Sequence, residues 1–394
     1  MEKALDSKKQ CSTAATGTTA AGGGSGLPDD LIVDILSRTP VKSICRFKCV
    51  SPAWRDLISH PDNRKKLPQT LTGFLYFDEF DSCQFISVVQ PPRSNGRLQP
   101  PSPFDFAFLP SKTRGGAVDC CNGLVLLNSL TSRSGSEPRA SYIVCNPATE
   151  KWTTVPESST EDEKIRTAIL CFDPAVSEHF HVVRLLDTEP DEEDWFSEQS
   201  LFEGFEIYSS ETGSWAFHPR SNEWSPFAHR SRRTYSNSLL HFITGHSTVA
   251  SLDMKGRTCR VISVPRSQDI HVQLIGHSQG CLFYVKRDDR NTYKISIYLL
   301  EEHGGWTLKH CVNTSGLFGN TRDYFQSGSL VGVAAIHPHC NSVFLFHSLQ
   351  GRMMIYNMDN QSGRVVRHVT AECLWSFVPY VPRYLETPAL KNSN

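Results

Sequence analysis

No two cysteines in this chain form a C-x-x-C pair, although thirteen are present among 394 residues. That removes the usual foundation of a structural zinc site. His179-Phe180-His181 and His337-Pro338-His339-Cys340 bring ligand-type side chains together, but neither has a second cluster at a metal spacing. No metal or other cofactor is expected. No apolar run reaches the roughly 18 residues that a membrane-spanning helix needs. Charge of one sign is also missing: 40 basic residues stand against 41 acidic ones, for a net charge of -1. This excludes the basic excess that nucleic-acid binding exploits. Short basic clusters such as Arg64-Lys65-Lys66 and Arg230-Ser231-Arg232-Arg233 read as solvated loops. The first residues hold no apolar leader core, and Cys11 to Gly26 is rich in Ser, Thr, Ala and Gly, as in a flexible tail. Cysteines in such a chain are expected to be free thiols in a reducing compartment, cytoplasmic or nuclear. Several sit in apolar stretches such as Ile169-Leu170-Cys171-Phe172, where cysteine behaves as a small hydrophobe.

What is present begins with a compact helical segment, Leu27 to Ile58. Pro28 suits a first helical position, because its φ is preset and its missing N–H is not needed there. Asp29 and Asp30 place negative charge at the positive end of the helix dipole. Leu31, Ile32, Ile35 and Leu36 recur at helical spacing, and Pro40 stops the run. A second run carries Ile44, Phe47 and Val50. Ser51-Pro52 reads as an N-cap with proline behind it, opening a third helix with Trp54, Leu57 and Ile58. Three helices of about ten residues cannot bury all this apolar surface among themselves. Part of it is expected to await a partner.

The order and spacing of Leu27-Pro28, Ile35-Leu36-Ser37-Arg38, Pro40-Val41-Lys42-Ser43, Arg46-Phe47-Lys48-Cys49-Val50 and Trp54-Arg55-Asp56-Leu57-Ile58 resemble the F-box. That module ties substrate receptors to the Skp adaptor of SCF-type ubiquitin ligases, and through it to the cullin and RING subunits. The resemblance implies an adaptor-binding set of Leu27, Pro28, Leu31, Ile35, Leu36, Pro40, Val41, Ile44, Val50, Trp54 and Leu57. Phe47 is expected to hold the helices together instead.

From about Gly73 the pattern changes to short strands and turns, with a recurring unit of strand, polar turn and a Trp or basic residue opening the next strand. Copies start at Tyr142, Phe205, Val249, Ile295 and Met354. The spacing, about 45–60 residues, is that of four-stranded propeller blades, kelch-like ones in particular. Roughly 310 residues at about 50 per blade predict six or seven blades. The strand after Leu374 is expected to pair with the one near Phe74-Leu75-Tyr76-Phe77 and close the ring. A large β-sandwich is the alternative architecture. The predicted organisation is a tail over 1–26, the helical module over 27–67, the β domain over 70–385 and a tail over 386–394.

Within this half, Asp119-Cys120-Cys121-Asn122-Gly123-Leu124-Val125-Leu126, Val144-Cys145-Asn146-Pro147-Ala148-Thr149 with Trp152, and Phe172-Asp173-Pro174 resemble the F-box-associated region of plant F-box proteins. Both resemblances together imply a non-catalytic receptor that recognises a target protein; from the balanced charge and the short apolar runs, neither nucleic acid nor membrane is expected as a partner. An adaptor-binding scaffold outside any ligase fits the same residues.

Gly276-His277-Ser278-Gln279-Gly280 matches the G-x-S-x-G pattern of serine hydrolases and raises an esterase at Ser278 as a further alternative. A nucleophile elbow must turn into a helix, whereas Cys281-Leu282-Phe283-Tyr284-Val285 is strand-like, so a hairpin turn is expected. The acidic run Asp191-Glu192-Glu193-Asp194 beside Trp195 and Phe196, and the polar stretch around Trp224, are expected as rim loops. Exposed aromatics there would anchor a target.

Overall fold

The computed structural model describes residues 27–39, 43–44, 47, 50–60, 63, 66–67, 71–77, 83–88, 106–109, 116–131, 139–158, 165–187, 202–219, 233–244, 247–265, 273–288, 290–291, 293–318, 331–368 and 377–391. Two helices, α1 (Asp29–Ser37) and α2 (Pro52–Ser59), frame the N-terminal module, and Ser43, Ile44 and Phe47 between them are also helical. Everything after them is β.

The strands form six sheets, five of them four-stranded, around a central channel. Blade 1 holds β3 (Ala117–Cys121), β4 (Leu124–Thr131), β5 (Arg139–Asn146) and β6 (Lys151–Val155). Blade 2 holds β7 (Ile165–Cys171), β8 (His181–Asp187), β9 (Phe202–Ser209) and β10 (Ser214–Pro219). Blade 3 holds β11 (Arg233–Ser236), β12 (Leu239–Ile243), β13 (Thr248–Asp253) and β14 (Thr258–Ser263). Blade 4 holds β15 (Leu274–Ser278), β16 (Cys281–Arg287), β17 (Lys294–Leu300) and β18 (Trp306–Asn313). Blade 5 holds β19 (Val331–Ile336), β20 (Ser342–His347), β21 (Arg352–Asn357) and β22 (Ser362–His368). Each is an antiparallel meander running from the channel outward.

The sixth blade joins the two ends of the β domain. Its inner strand is the last one, β23 (Phe377–Tyr380), which pairs with β1 (Gly73–Phe77), itself paired with β2 (Cys83–Ser87). The expected closure is therefore the observed one, with Phe74 opposite Pro379 and Leu75 opposite Val378. Six blades resolve the choice between six and seven, and radial sheets replace the alternative of two stacked ones.

Alternation along the strands explains why the ring holds. Successive side chains of a strand point to opposite faces, so each blade feeds two interfaces. In β7, Ala168 and Leu170 join the core shared with blade 1, while Ile169 and Cys171 join the core shared with blade 3. Six such cores lie between neighbouring blades, the last uniting Leu75 and Tyr380 with Val125, Leu127 and Cys145. No blade could bury both faces alone, and closure removes the open ends that a linear stack would expose.

The five sequence units all fall on the third and fourth strands of blades 1 to 5. Each of those hairpins turns through one residue with positive φ: Glu150 at 57°, Gly213 at 70°, Gly256 at 74°, Gly304 at 93° and Gln361 at 54°.

The predicted tail over 386–394 is corrected in its first part. Thr387 and Leu390 are buried, and Leu390 joins the core between blades 1 and 2.

Candidate functional site

The helical module builds its own small core and leaves an apolar face outside. Leu36, Ile44 and Ile58 are buried together, with Ile32, Phe47, Trp54 and Leu67 packed around them. Phe47 meets Trp54 edge-on at 5.6 Å, which gives it the bracing role expected. Pro28 stands one residue earlier than predicted, as the N-cap with ψ 150°, and its carbonyl accepts from the Leu31 and Ile32 amides. Ser51 caps α2 as predicted: its side chain accepts from the Trp54 amide at 3.2 Å, with Pro52 following. Ser51→Ala is expected to lower the module's stability by about 1 kcal/mol, read as an earlier melt of its helical signal; an unchanged melt would deny the cap any weight.

The sequence-predicted docking residues divide by exposure. Leu27, Leu31, Ile35 and Val50 are exposed at 46%, 48%, 54% and 63%, unusual for large apolar side chains, and Pro28 is exposed beside them. Leu31 and Ile35 are one helical turn apart and share a face of α1. Trp54 and Leu57 are half-buried. Leu36 and Ile44 are corrected: at 1% and 4% exposed they belong to the module's interior rather than to its outer apolar face. The apolar positions of α1 cover too much of its circumference for spacing alone to separate inside from outside. Pro40 and Val41 lie outside the described residues, as do Trp195, Phe196 and Trp224.

A second feature lies at one end of the propeller channel. All six inner strands end there, and their following turns share a cavity of about 600 Å3. Asn122, Asp173, Asn237, Gln279, His339 and Arg383 each represent one blade. Ile44, Ile58 and Leu67 of the helical module line it from outside. Three of the six turns are two-residue hairpins with both φ values positive: Asn122-Gly123, Asn237-Ser238 and Gln279-Gly280. No local signal could have announced this cavity, because its lining comes from ordinary turns about fifty residues apart.

Inside the channel the resembling motifs do structural work. Asp119 accepts from the Leu170 amide at 2.9 Å and from the Cys120 amide at 2.9 Å. It also faces Arg233 of β11 at 3.6 Å, with both side chains buried. Arg233 in turn donates to Thr167 and to the Ala168 carbonyl. One carboxylate thus fastens blades 1, 2 and 3. Asn122 donates to the Phe172 carbonyl at 2.6 Å, and buried Asn146 donates to the Arg383 carbonyl at 2.8 Å. Arg383 lies over the Phe172 ring and donates to Thr387. Gly123, at φ 88°, has no room for a side chain: a Cβ there would stand 2.5 Å from the Arg383 Cβ. The Asp-x-x-Asn-Gly, Asn-Pro and Phe-Asp-Pro elements are the clasp that holds the C-terminal segment against the first two blades.

The hydrolase-like pentapeptide is a hairpin turn. Ser278 ends β15, is 3% exposed, and is followed by the turn at Gln279-Gly280 and by β16 rather than a helix. Its neighbour His277 is bound through Nδ1 to Thr234 at 3.1 Å. Among the described residues no group of three His, Cys, Asp or Glu side chains is arranged to hold a metal, and no helix is long and apolar enough to cross a membrane. Burial pushes the Cys121 thiol up to about 12 and raises Cys145 and Cys171 as well, so these thiols stay protonated at neutral pH.

Comparison with known proteins adds an independent finding. Residues 25–66 match the F-box domain, and residues 91–378 match the family described as F-box protein At3g26010-like, beta-propeller. F-box protein At5g07610 of Arabidopsis thaliana is 26% identical over 306 residues, covering 73% of this chain and 71% of that one. F-box protein DOR of the same plant is 26% identical over 178 residues, covering 40% of this chain and 42% of that one. Among solved structures, "Structure of YjhT" aligns with 64% of this chain and 82% of that one at 11% identity and a TM-score of 0.33. The blade count rests on the strand pairing described above.

Proposed function

Since this chain belongs to the F-box protein At3g26010-like β-propeller family, we propose that it is the substrate-recognition subunit of an SCF-type E3 ubiquitin ligase. The F-box docks on a Skp-family adaptor, and through it on the cullin and RING subunits. The propeller binds the target protein. The observation that carries this reading is the exposed set Leu27, Leu31, Ile35 and Val50 on a module whose core is already complete. Such a face is stabilised only when something covers it.

The chain itself supplies no bond chemistry in this reading. It contributes proximity, holding a target lysine near a charged carrier so that effective concentration replaces random encounter. Buried, protonated thiols and a serine closed into a hairpin suit a receptor better than a catalyst.

Co-purification with a Skp-family adaptor tests the proposal, using the full chain beside a version lacking residues 27–60. Stoichiometric capture by the first and none by the second is expected. Cullin association and faster target turnover are expected to follow, and their absence despite adaptor binding would leave an adaptor-bound scaffold. A folded full-length chain that captures no adaptor would sink the assignment.

A further inference from the structure

We infer that the cavity at the channel mouth is a binding site for an uncharged amphipathic small molecule, seated between the propeller and the F-box. This inference is independent of whether the adaptor docks on the outer face of the module.

Size is the first argument. At about 600 Å3 the cavity falls within the few hundred to about 1,000 Å3 of small-ligand sites, and far exceeds the roughly 30 Å3 share of one water. The channel cavity behind it, at about 140 Å3, is much smaller and is lined by the inner strands' own side chains.

The second argument is the distribution of chemistry on the walls. One side is apolar: Ile44, Ile58 and Leu67 from the F-box, with Val381, Pro382 and Leu385 from the C-terminal segment. The floor is polar, and its free groups are neutral. His277 uses Nδ1 on Thr234, which leaves Nε2 without a hydrogen-bond partner among the described residues. Asn122 and Asn237 each use one amide N–H on the Phe172 and Gly280 carbonyls, leaving the side-chain oxygen and the second N–H of each for a ligand. Burial lowers the pKa of His277, and the facing His339 adds to this, so the ring is uncharged at neutral pH and its Nε2 donates or accepts according to tautomer. A ligand bearing neutral hydroxyl or amide groups on an apolar body complements this floor.

The third argument concerns charge. Among the described residues two charged side chains reach the cavity, Asp173 and Arg383. Asp173 accepts from the Ala175 amide in its own turn. Arg383 is engaged by Thr387, the Glu386 carbonyl and the Phe172 ring. One negative and one positive charge give these described walls no net sign, so an ionic ligand would lose its hydration without a net opposite charge to offset the loss.

The test uses a matched pair of fluorescent probes on the full-length protein. Dansylamide carries a naphthalene body and an uncharged sulfonamide donor; dansyl sulfonate carries the same body and an anion. Dansylamide is expected to bind saturably, one per chain, and at least tenfold more tightly than the sulfonate. Ala175→Trp, which fills the cavity, is expected to weaken dansylamide at least tenfold with the melting temperature unchanged. Leu349→Trp, on an exposed turn of blade 5, serves as the control and is expected to bind as the unmodified chain does. If Ala175→Trp misfolds, His277→Phe replaces it; that change removes the neutral polar contact at Nε2 and is expected to weaken the amide and leave the sulfonate unaltered. Unsaturable binding, equal binding by the cavity-filled variant, or a preference for the sulfonate would each overturn the inference.

Discussion

Replacing Leu31 and Ile35 together by aspartate is expected to abolish capture of a Skp-family adaptor while the propeller stays folded. Both side chains are about half exposed, so the substitutions leave the module core of Leu36, Ile44 and Ile58 untouched. Leu31 lies in the first turn of α1 beside Asp29 and Asp30, where added negative charge suits the helix dipole. Ile35→Asp costs the helix only a few tenths of a kcal/mol in propensity. The loss at the interface is far larger. Burying each aliphatic side chain is worth about 1.5–3 kcal/mol, and a buried unpaired carboxylate adds its own penalty. Affinity is expected to fall on the order of 100-fold or more. Titration of adaptor by calorimetry, beside circular dichroism of the variant, measures both halves of the claim. Adaptor affinity within a factor of three of the original would mean that the docking face is elsewhere. Leu36→Asp is the wrong variant for this purpose, because it would unfold the module and lose binding for a trivial reason.

That contrast also shows where sequence reading stops. The helical module was legible because caps, charges and stops are local: Ser51 binds the Trp54 amide three residues on, and nothing distant is needed. Which side of α1 faces a partner was not legible. Leu31, Ile32, Val33, Ile35 and Leu36 are all apolar, and only tertiary packing places Leu36 inside and Ile35 outside. The propeller was legible through five copies of one hairpin. The sixth blade left no copy, because it is assembled from strands about three hundred residues apart and its hairpin partner is the chain's own end. That is why spacing alone could not choose between six blades and seven. The channel-mouth cavity was invisible for a related reason. Asn-Gly, Asp-Pro and Gln-Gly each read as turn chemistry, and only closure of the ring collects them. Leu390, in a polar run at the end of the chain, gave no sign that it fills the core between blades 1 and 2.

The clasp leads to the largest expected effect on stability. Asp119→Ala removes the carboxylate that faces Arg233 and accepts from the Leu170 amide, all in the channel wall. It takes the Asp119 charge away from the buried Arg233 guanidinium and the Asp119 acceptor away from the buried Leu170 amide. Breaking one partner of a buried pair typically costs about 3–5 kcal/mol, more than the intact pair contributes, because the remaining charge stays desolvated. The urea midpoint is therefore expected to fall sharply, and with it the yield of folded protein. Asp119→Asn keeps an acceptor for Leu170 but loses the charge, and should fall between the two. Combining Asp119→Ala with Arg233→Met removes both charges and is expected to recover part of the loss, so the double variant should be more stable than Asp119→Ala alone. Midpoints rather than extrapolated free energies are the quantity to compare, since a six-bladed ring need not unfold in one step. Strictly additive losses in the double variant would mean that Asp119 acts through its amide contacts and that Arg233 is held independently by Thr167 and the Ala168 carbonyl. The clasp would then be a hydrogen-bonded one, with the ion pair incidental to closing the ring.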